Sequence, residues 1–128
     1  MAAITHHRGK YSCYRFECYD ADGATIDPSE TATAVSFTVK QFATSTDVAI
    51  LLELVIGDGV SFTTDGGVTY IDVEVDVAGD DTSAIDLAGA ESVDLAYDLQ
   101  HVSDSGKVRL LAKDTFTLEL PVKQAAPA

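Results

Sequence analysis

Three groups of side chains in this sequence have the types and spacing to do chemistry. Asp72, Glu74 and Asp76 place carboxylates at every second position. On a strand that spacing puts all three on one face, and neighbouring carboxylates are raw material for a hard-cation site. Such a site needs about six to eight oxygens converging from several segments, so the row alone reads as a solvated strand face. Asp20-Ala21-Asp22-Gly23 with Asp27 echoes part of a calcium loop. It lacks the later Asp or Asn and the bidentate Glu, and a turn whose Asp side chains bond their own backbone explains it more simply. His6 and His7 are adjacent, but a zinc site needs about three or four ligands fixed by a fold.

The remaining reactive residues have no partners in a recognisable motif. His101 stands near the end of a predicted strand without a nearby Ser, Cys or carboxylate in a catalytic pattern. Cys13 and Cys18 fall on one predicted strand at an odd separation, hence on opposite faces, and a bridge between them is not expected. There is no CxxC, GxSxG, HExxH or phosphate-cradling glycine loop. No catalytic, cofactor-binding or metal-ligating residue is assigned.

Charge narrows the function classes further. The formal net charge is −13 over 128 residues, and the span from Gln41 to Gly106 holds fourteen acidic residues and no Lys or Arg. That surface repels phosphate backbones and anionic lipid, so neither a nucleic acid nor a membrane is an expected partner. The hydrophobic fraction of 46% is that of an ordinary globular domain. The start, MAAITHHRGK, has no apolar signal region, and Val48–Ile56 is too short to span a bilayer. Synthesis in the cytoplasm is the expectation.

The elements that must position these residues are strands. Val93, Leu95, Tyr97 and Leu99 alternate with polar residues, which is the pattern of a half-buried strand. Ser103-Asp104-Ser105-Gly106 supplies a turn, and Val108, Leu110, Ala112, Phe116, Leu118 and Leu120 continue on one parity. This hairpin is expected to organise the domain. Lys10–Tyr19 reads as a strand with Tyr14, Phe16 and Cys18 on one face and Tyr11, Cys13 and Arg15 on the other. Thr31–Lys40 turns Val35, Phe37 and Val39 inward. Val48–Ile56 is a nearly continuous apolar run, consistent with a strand covered on both faces or a short buried helix. Val60–Thr63 and Val68–Val77 flank the hairpin turn Asp65-Gly66-Gly67, with Ile71, Val73 and Val75 inward. Ala78–Glu91 breaks the alternation and has room for one helical turn around Ser83–Leu87. About seven short strands separated by turns argue for an all-β, two-sheet sandwich. Residues 1–8 read as an N-terminal arm, 9–120 as the sandwich and 121–128 as a tail.

Several short motifs, in this order and spacing, resemble a known family. They are Arg8-Gly9-Lys10, Asp20-Ala21-Asp22-Gly23-Ala24-Thr25-Ile26-Asp27, Val35–Lys40, Ala96-Tyr97-Asp98-Leu99-Gln100 and Ser105-Gly106-Lys107-Val108. Together they are similar to small virion-associated proteins of tailed bacteriophages and prophages, whose immunoglobulin-like sandwich is similar to the N-terminal domain of baseplate upper proteins. The resemblance spans about Arg8–Val122. It departs at Lys10, where Asp is usual, at Pro28, where Leu is usual, and at Asp114, where Gly is usual. It implies an immunoglobulin-like antiparallel β-sandwich of about seven to eight strands and a structural role in the virion. Its partners would be other virion proteins of the tail, baseplate, neck or capsid surface, with several symmetric copies on the particle.

The function expected is therefore a non-enzymatic adaptor or decoration module, located on the virion and using no cofactor. The alternative is a carbohydrate- or cell-surface-binding sandwich, against which the absence of Trp weighs. Basic residues crowd the two ends of the chain, so Arg8, Lys10, Tyr11, Arg15, Pro121 and Lys123 are the expected partner-binding residues. Because the acidic row reads as a solvated face, Ca²⁺ at about 1 mM should shift the melting temperature no more than Na⁺ of matched ionic strength. Thermal melts in the two salts check this, and a saturable rise seen only with calcium contradicts it.

Overall fold

The computed structural model describes residues 3–18, 32–41, 50–83, 85, 87, 89–103, 106 and 108–120. The order of elements is β1 (Ile4–His7), β2 (Ser12–Glu17), β3 (Ala32–Lys40), β4 (Ile50–Ile56), β5 (Gly59–Asp65), β6 (Val68–Val75), β7 (Ser92–Ser103) and β8 (Val108–Glu119). All eight belong to one sheet, in the order β1-β8-β7-β3-β4-β5-β6-β2. The described residues include no helix. The all-β expectation holds, but strand pairing gives one rolled, nearly closed sheet in place of two separate ones.

The β7–β8 hairpin is the longest pairing, from Ser92↔Glu119 to Val102↔Val108. Its inner face carries Leu95, Tyr97, Leu99, Ala112, Phe116 and Leu118, all buried as the alternation predicts except where a bulge intervenes. Leu99 pairs with Ala112 but Gln100 pairs with Leu110, so Leu111 is an extra residue on β8. The slip of one residue reverses the parity beyond it. Val108 and Leu110, expected inward, are consequently exposed.

β3 packs beside β7 and buries Val35, Phe37 and Val39. β4 pairs with β3 and buries Leu52 and Leu54, while Leu51, Val55 and Ile56 are exposed. The apolar run that suggested cover on both faces is thus a half-buried strand. From β4 to β5 the chain turns a corner held by only two residue pairs, Val55↔Gly59 and Ile56↔Val60. Gly59 is required there: its φ is +97°, and a Cβ would come within 3.2 Å of the Glu74 carbonyl oxygen. β5 and β6 form the expected hairpin through Gly66 and Gly67, and β6 buries Ile71, Val73 and Val75.

One segment differs in kind from the expectation. Residues 4–7, read as part of an arm, are strand β1, which pairs in parallel with β8 from Ile4↔Phe116 to His7↔Glu119. Ile4 and His6 point inward and Thr5 and His7 outward. After Thr82 the Ile85 N–H donates to the Thr82 carbonyl at 3.0 Å, and residues 84 and 86 of the expected helical turn lie outside the described residues. Ile85 and Leu87 are buried in the core.

Phe37, Phe116, Tyr97 and Phe16 form the aromatic centre, with Phe37 5.4 Å from Tyr97 and 6.2 Å from Phe116, centroid to centroid. Phe116 and Leu95 are both buried. Truncating either to Ala should cost about 2–5 kcal/mol, the range for deleting a large core side chain. Urea or thermal unfolding checks this, and an unmoved transition contradicts the core described here.

Candidate functional site

The two edge strands of the sheet, β1 and β2, are consecutive in the chain and are brought together by side chains. The link is a buried polar cluster built on His6. Its Nε2 lies 2.7 Å from Asp76 Oδ2 and its Nδ1 lies 2.7 Å from the Tyr14 hydroxyl. In the neutral imidazole, Nε2–H donates to the carboxylate and Nδ1 accepts from Tyr14. His6 and Asp76 are each 1% exposed.

Asp76 is the hub of this cluster. It follows the last residue of β6 and has a φ of +61°, the only positive value among the described non-glycine residues. Continued alternation would place its side chain outward, on the face of Asp72 and Glu74. The left-handed backbone turns it inward instead, a conformation Asp tolerates better than most residues. Its Oδ1 accepts from the Thr82 N–H at 2.9 Å, its Oδ2 from the Thr82 hydroxyl at 2.5 Å, and its own N–H donates to Asp81 Oδ2 at 2.6 Å. Burial alone would raise the Asp76 carboxyl above its ordinary value. The hydrogen bonds from Thr82 and His6 outweigh that and hold it below. Tyr14 is pushed up chiefly by burial, with a hydrogen bond with Ser12 opposing and the Asp76 charge assisting.

The connection between β1 and β2 is fastened to the same turn. Arg8 Nη2 and Nε donate to the Ser83 carbonyl at 2.5 and 3.2 Å, and the Gly9 N–H donates to the Thr82 hydroxyl at 2.8 Å. The Arg8 N–H also donates to the Glu119 carbonyl at 2.8 Å. Arg8, expected to meet a partner, is therefore engaged within the fold.

The other expected contact residues divide by location. Lys10 and Tyr11 are exposed, and the Tyr11 hydroxyl donates to Glu74 at 2.9 Å. Arg15 pairs with Asp72 through two contacts of 2.8 and 3.0 Å, and its guanidinium lies 4.9 Å from the Tyr70 ring centroid. The Arg15 hydrogen bond holds the Asp72 carboxyl below its ordinary value, with burial opposing and Thr63 assisting. Pro121 and Lys123 lie outside the described residues, as do the Asp20–Asp27 turn and the tail. The acidic row is thus not a uniform solvated face: Asp72 is ion-paired, Glu74 is bonded to Tyr11, and Asp76 is buried. Among the described residues, no group of three or more His, Cys, Asp or Glu is placed to hold a metal ion.

Next to the clasp the seam opens into a cleft of about 350 Å³. Ile4 and Tyr14 border it, with Phe16, Tyr97 and Ala112 as apolar lining. Cys13 sits on the exposed side of β2, whereas Cys18 is buried and its thiol is pushed up to about 11, chiefly by burial. The described residues include no helix long and apolar enough to cross a membrane.

No protein-family model matches the chain, and neither a curated protein nor a solved structure matches it. The site has to be judged on its own geometry. A hydroxyl, an imidazole and a carboxylate in sequence have the components of a proton relay. Here both imidazole nitrogens are engaged inside the protein, and Tyr14 is shifted away from ionisation. The arrangement closes a sheet.

Because the Asp76 carboxyl is held below its ordinary value, its charged form stabilises the fold fully at neutral pH. That contribution is lost as pH falls through the folded-state value, which lies below the ordinary carboxylate value of about 3.9. Asp72 contributes in the same direction. Asp76→Asn should lower stability at neutral pH and flatten part of the acid limb. Melting temperatures from about pH 7 to about pH 2 check this, and parallel profiles for the two proteins contradict it.

Proposed function

We propose that the chain is a structural, non-enzymatic component of a tailed-bacteriophage virion, an immunoglobulin-like β-sandwich that docks on other virion proteins in several copies. Strand connectivity carries this reading. An immunoglobulin-type sandwich sets strands B, E and D side by side in one layer and C, F and G in the other. Numbering this chain's β2, β3, β4, β5, β6, β7 and β8 as B, C, C′, D, E, F and G reproduces those neighbours: β2-β6-β5 and β8-β7-β3-β4. The narrow β4–β5 corner is where the two layers would join, and β1 would be an A strand carried across to the edge of G. This is the fold that the motif resemblance implies.

Two further observations support a docking role. The buried hydroxyl, imidazole and carboxylate of Tyr14, His6 and Asp76 are used in closing the sheet, with His6 engaged at both nitrogens. The outer surface exposes Val108 and Leu110 on β8 and Leu51, Val55 and Ile56 on β4, apolar side chains that contact with a neighbour would cover. Residues 4–8 are not a separate arm for attachment, because β1 and Arg8 belong to the fold. Deleting residues 1–8 would remove His6 and is therefore a test of folding, not of docking.

Mass spectrometry of purified particles, with head and tail fractions separated, tests the proposal. The chain should appear in one fraction at several copies per particle. Its presence in infected or induced cells together with its absence from both fractions would overturn the reading.

A further inference from the structure

Strand register lays out the outer face of the layer β8-β7-β3-β4 in rows. One complete row, from β4 to β8, is Val55–Ser36–Gln100–Leu110, and the next is Glu53–Thr38–Asp98–Lys113. The residues alternating with them, among them Leu54, Phe37, Leu99 and Ala112, are buried in the core, so both rows face outward. Below the first row, Ala34, Val102 and Val108 align across β3, β7 and β8. Two neighbouring rows therefore carry no charge in a chain whose net charge is −13. Their apolar members are open at both ends of the face: Val55 is 41% exposed, Leu110 49% and Val108 64%.

The two halves of this face differ in relief. On the β7–β8 half lies a hollow of about 220 Å³, lined by Ala96, Asp98 and Gln100 between Lys40 on one side and Leu110 and Lys113 on the other. On the β4 half the exposed side chains are Leu51 and Val55. One half has a depression and the other has large apolar side chains to place in one.

Such a face is complementary to itself about one axis. A two-fold running along the strands, midway between β3 and β7, lays β4 of one copy over β8 of the other and β3 over β7. The first row then sets Val55 against Leu110 at both ends, with Ser36 and Gln100 meeting in the middle. The second sets Glu53 against Lys113 at both ends, and Asp98 faces Thr38, so no like charges are opposed. Leu51 and Val55 of each copy stand over the hollow of the other. Lys113 is already opposite Asp98 in its own hairpin. An ammonium has three donors, so Glu53 of the second copy adds to that neighbour and does not replace it.

We propose that the β8-β7-β3-β4 face pairs with the same face of a second copy, in a two-fold dimer centred on the Val55–Leu110 row. Four strands about 4.8 Å apart and three rows about 6.8 Å apart give a patch of roughly 400 Å² on each copy. That is the small, transient end of specific interfaces, so the pair forms where copies are concentrated. The inference makes a second copy one of the neighbours in the several-copy arrangement proposed above. It rests on that reading only for where the pairs occur; pairing in solution is independent of it.

The test is sedimentation velocity and amide NMR of the full chain up to about 1 mM, where weak pairs populate. A monomer–dimer equilibrium should appear and strengthen as salt rises, because screening relieves repulsion between two copies of charge −13. Concentration-dependent shifts should fall on β3, β4, β7 and β8. Leu110→Asp, at an exposed position, should weaken pairing more than tenfold and leave the melting temperature near its original value. Crosslinking fixes the geometry: in a Cys13→Ser background, Val55→Cys protein mixed with Leu110→Cys protein should be joined by a bismaleimide with a two-carbon spacer. Neither should join to itself, since the two β4 strands lie about 14 Å apart across the axis. If a variant fails to fold, the shifts on the unaltered chain decide the matter. A monomer at every concentration, shifts confined to another face, self-joining of either single variant, or undiminished pairing of Leu110→Asp would overturn the proposal. So would a different protein binding this face while the chain itself stays monomeric. A chain found on particles yet monomeric at about 1 mM would retain the structural role and lose this surface. A dimer of this geometry from a chain absent from particles would retain the surface and lose that role.

Discussion

The structure depends on joining the two ends of a single sheet. A rolled sheet of eight strands leaves one edge at β1 and another at β2, each with backbone groups that need cover. The contact between His6 and Asp76 draws these edges together. A buried pair of this kind is a weak source of net stability, because desolvation offsets most of the attraction. Its larger effect is on register. A slip of one residue in β1 would turn His6 to solvent and leave Asp76 buried with one fewer donor. Asp76 itself holds a left-handed backbone conformation that its hydrogen bonds to Thr82, Asp81 and His6 over-determine. The clasp thus specifies one closed arrangement more than it deepens the energy of that arrangement.

Closure at one end of the seam leaves the other end different in character. The polar cluster occupies the stretch near His6, whereas the cleft near Ile4 is lined by Phe16, Tyr97 and Ala112. Most of the charge lies elsewhere and is negative: the span from Gln41 to Gly106 holds fourteen acidic residues and no Lys or Arg.

Much of this fold is legible in the sequence, and the illegible parts have physical causes. Period-two alternation marks Val93–Leu99, Val35–Val39 and Ile71–Val75, because those strands face a core on one side and water on the other. Val108 and Leu110 escape it, since the bulge at Leu111 reverses parity without leaving a glycine or proline as a marker. β1 escapes because four residues are too short a window, although Ile4-Thr5-His6-His7 does alternate. Asp76 continues the acidic row in sequence but not in space: the strand ends at Val75 and the backbone rotates the next side chain inward. Its partner lies seventy residues away, so no local pattern could join them. The expected contact residues Arg8 and Arg15 carry the right charge for a partner, yet internal carbonyl and carboxylate groups take them first.

The claim that the clasp closes the sheet is tested most directly by a double-mutant cycle between His6→Ala and Asp76→Gly. Glycine accommodates the positive φ at position 76, so the substitution removes the carboxylate without adding backbone strain. Unfolding free energies should show each single variant strongly destabilised and the double variant less so than their sum, by about 1–3 kcal/mol. Additivity within about 0.5 kcal/mol would contradict the account, because the two edges would then be closed by something other than this pair.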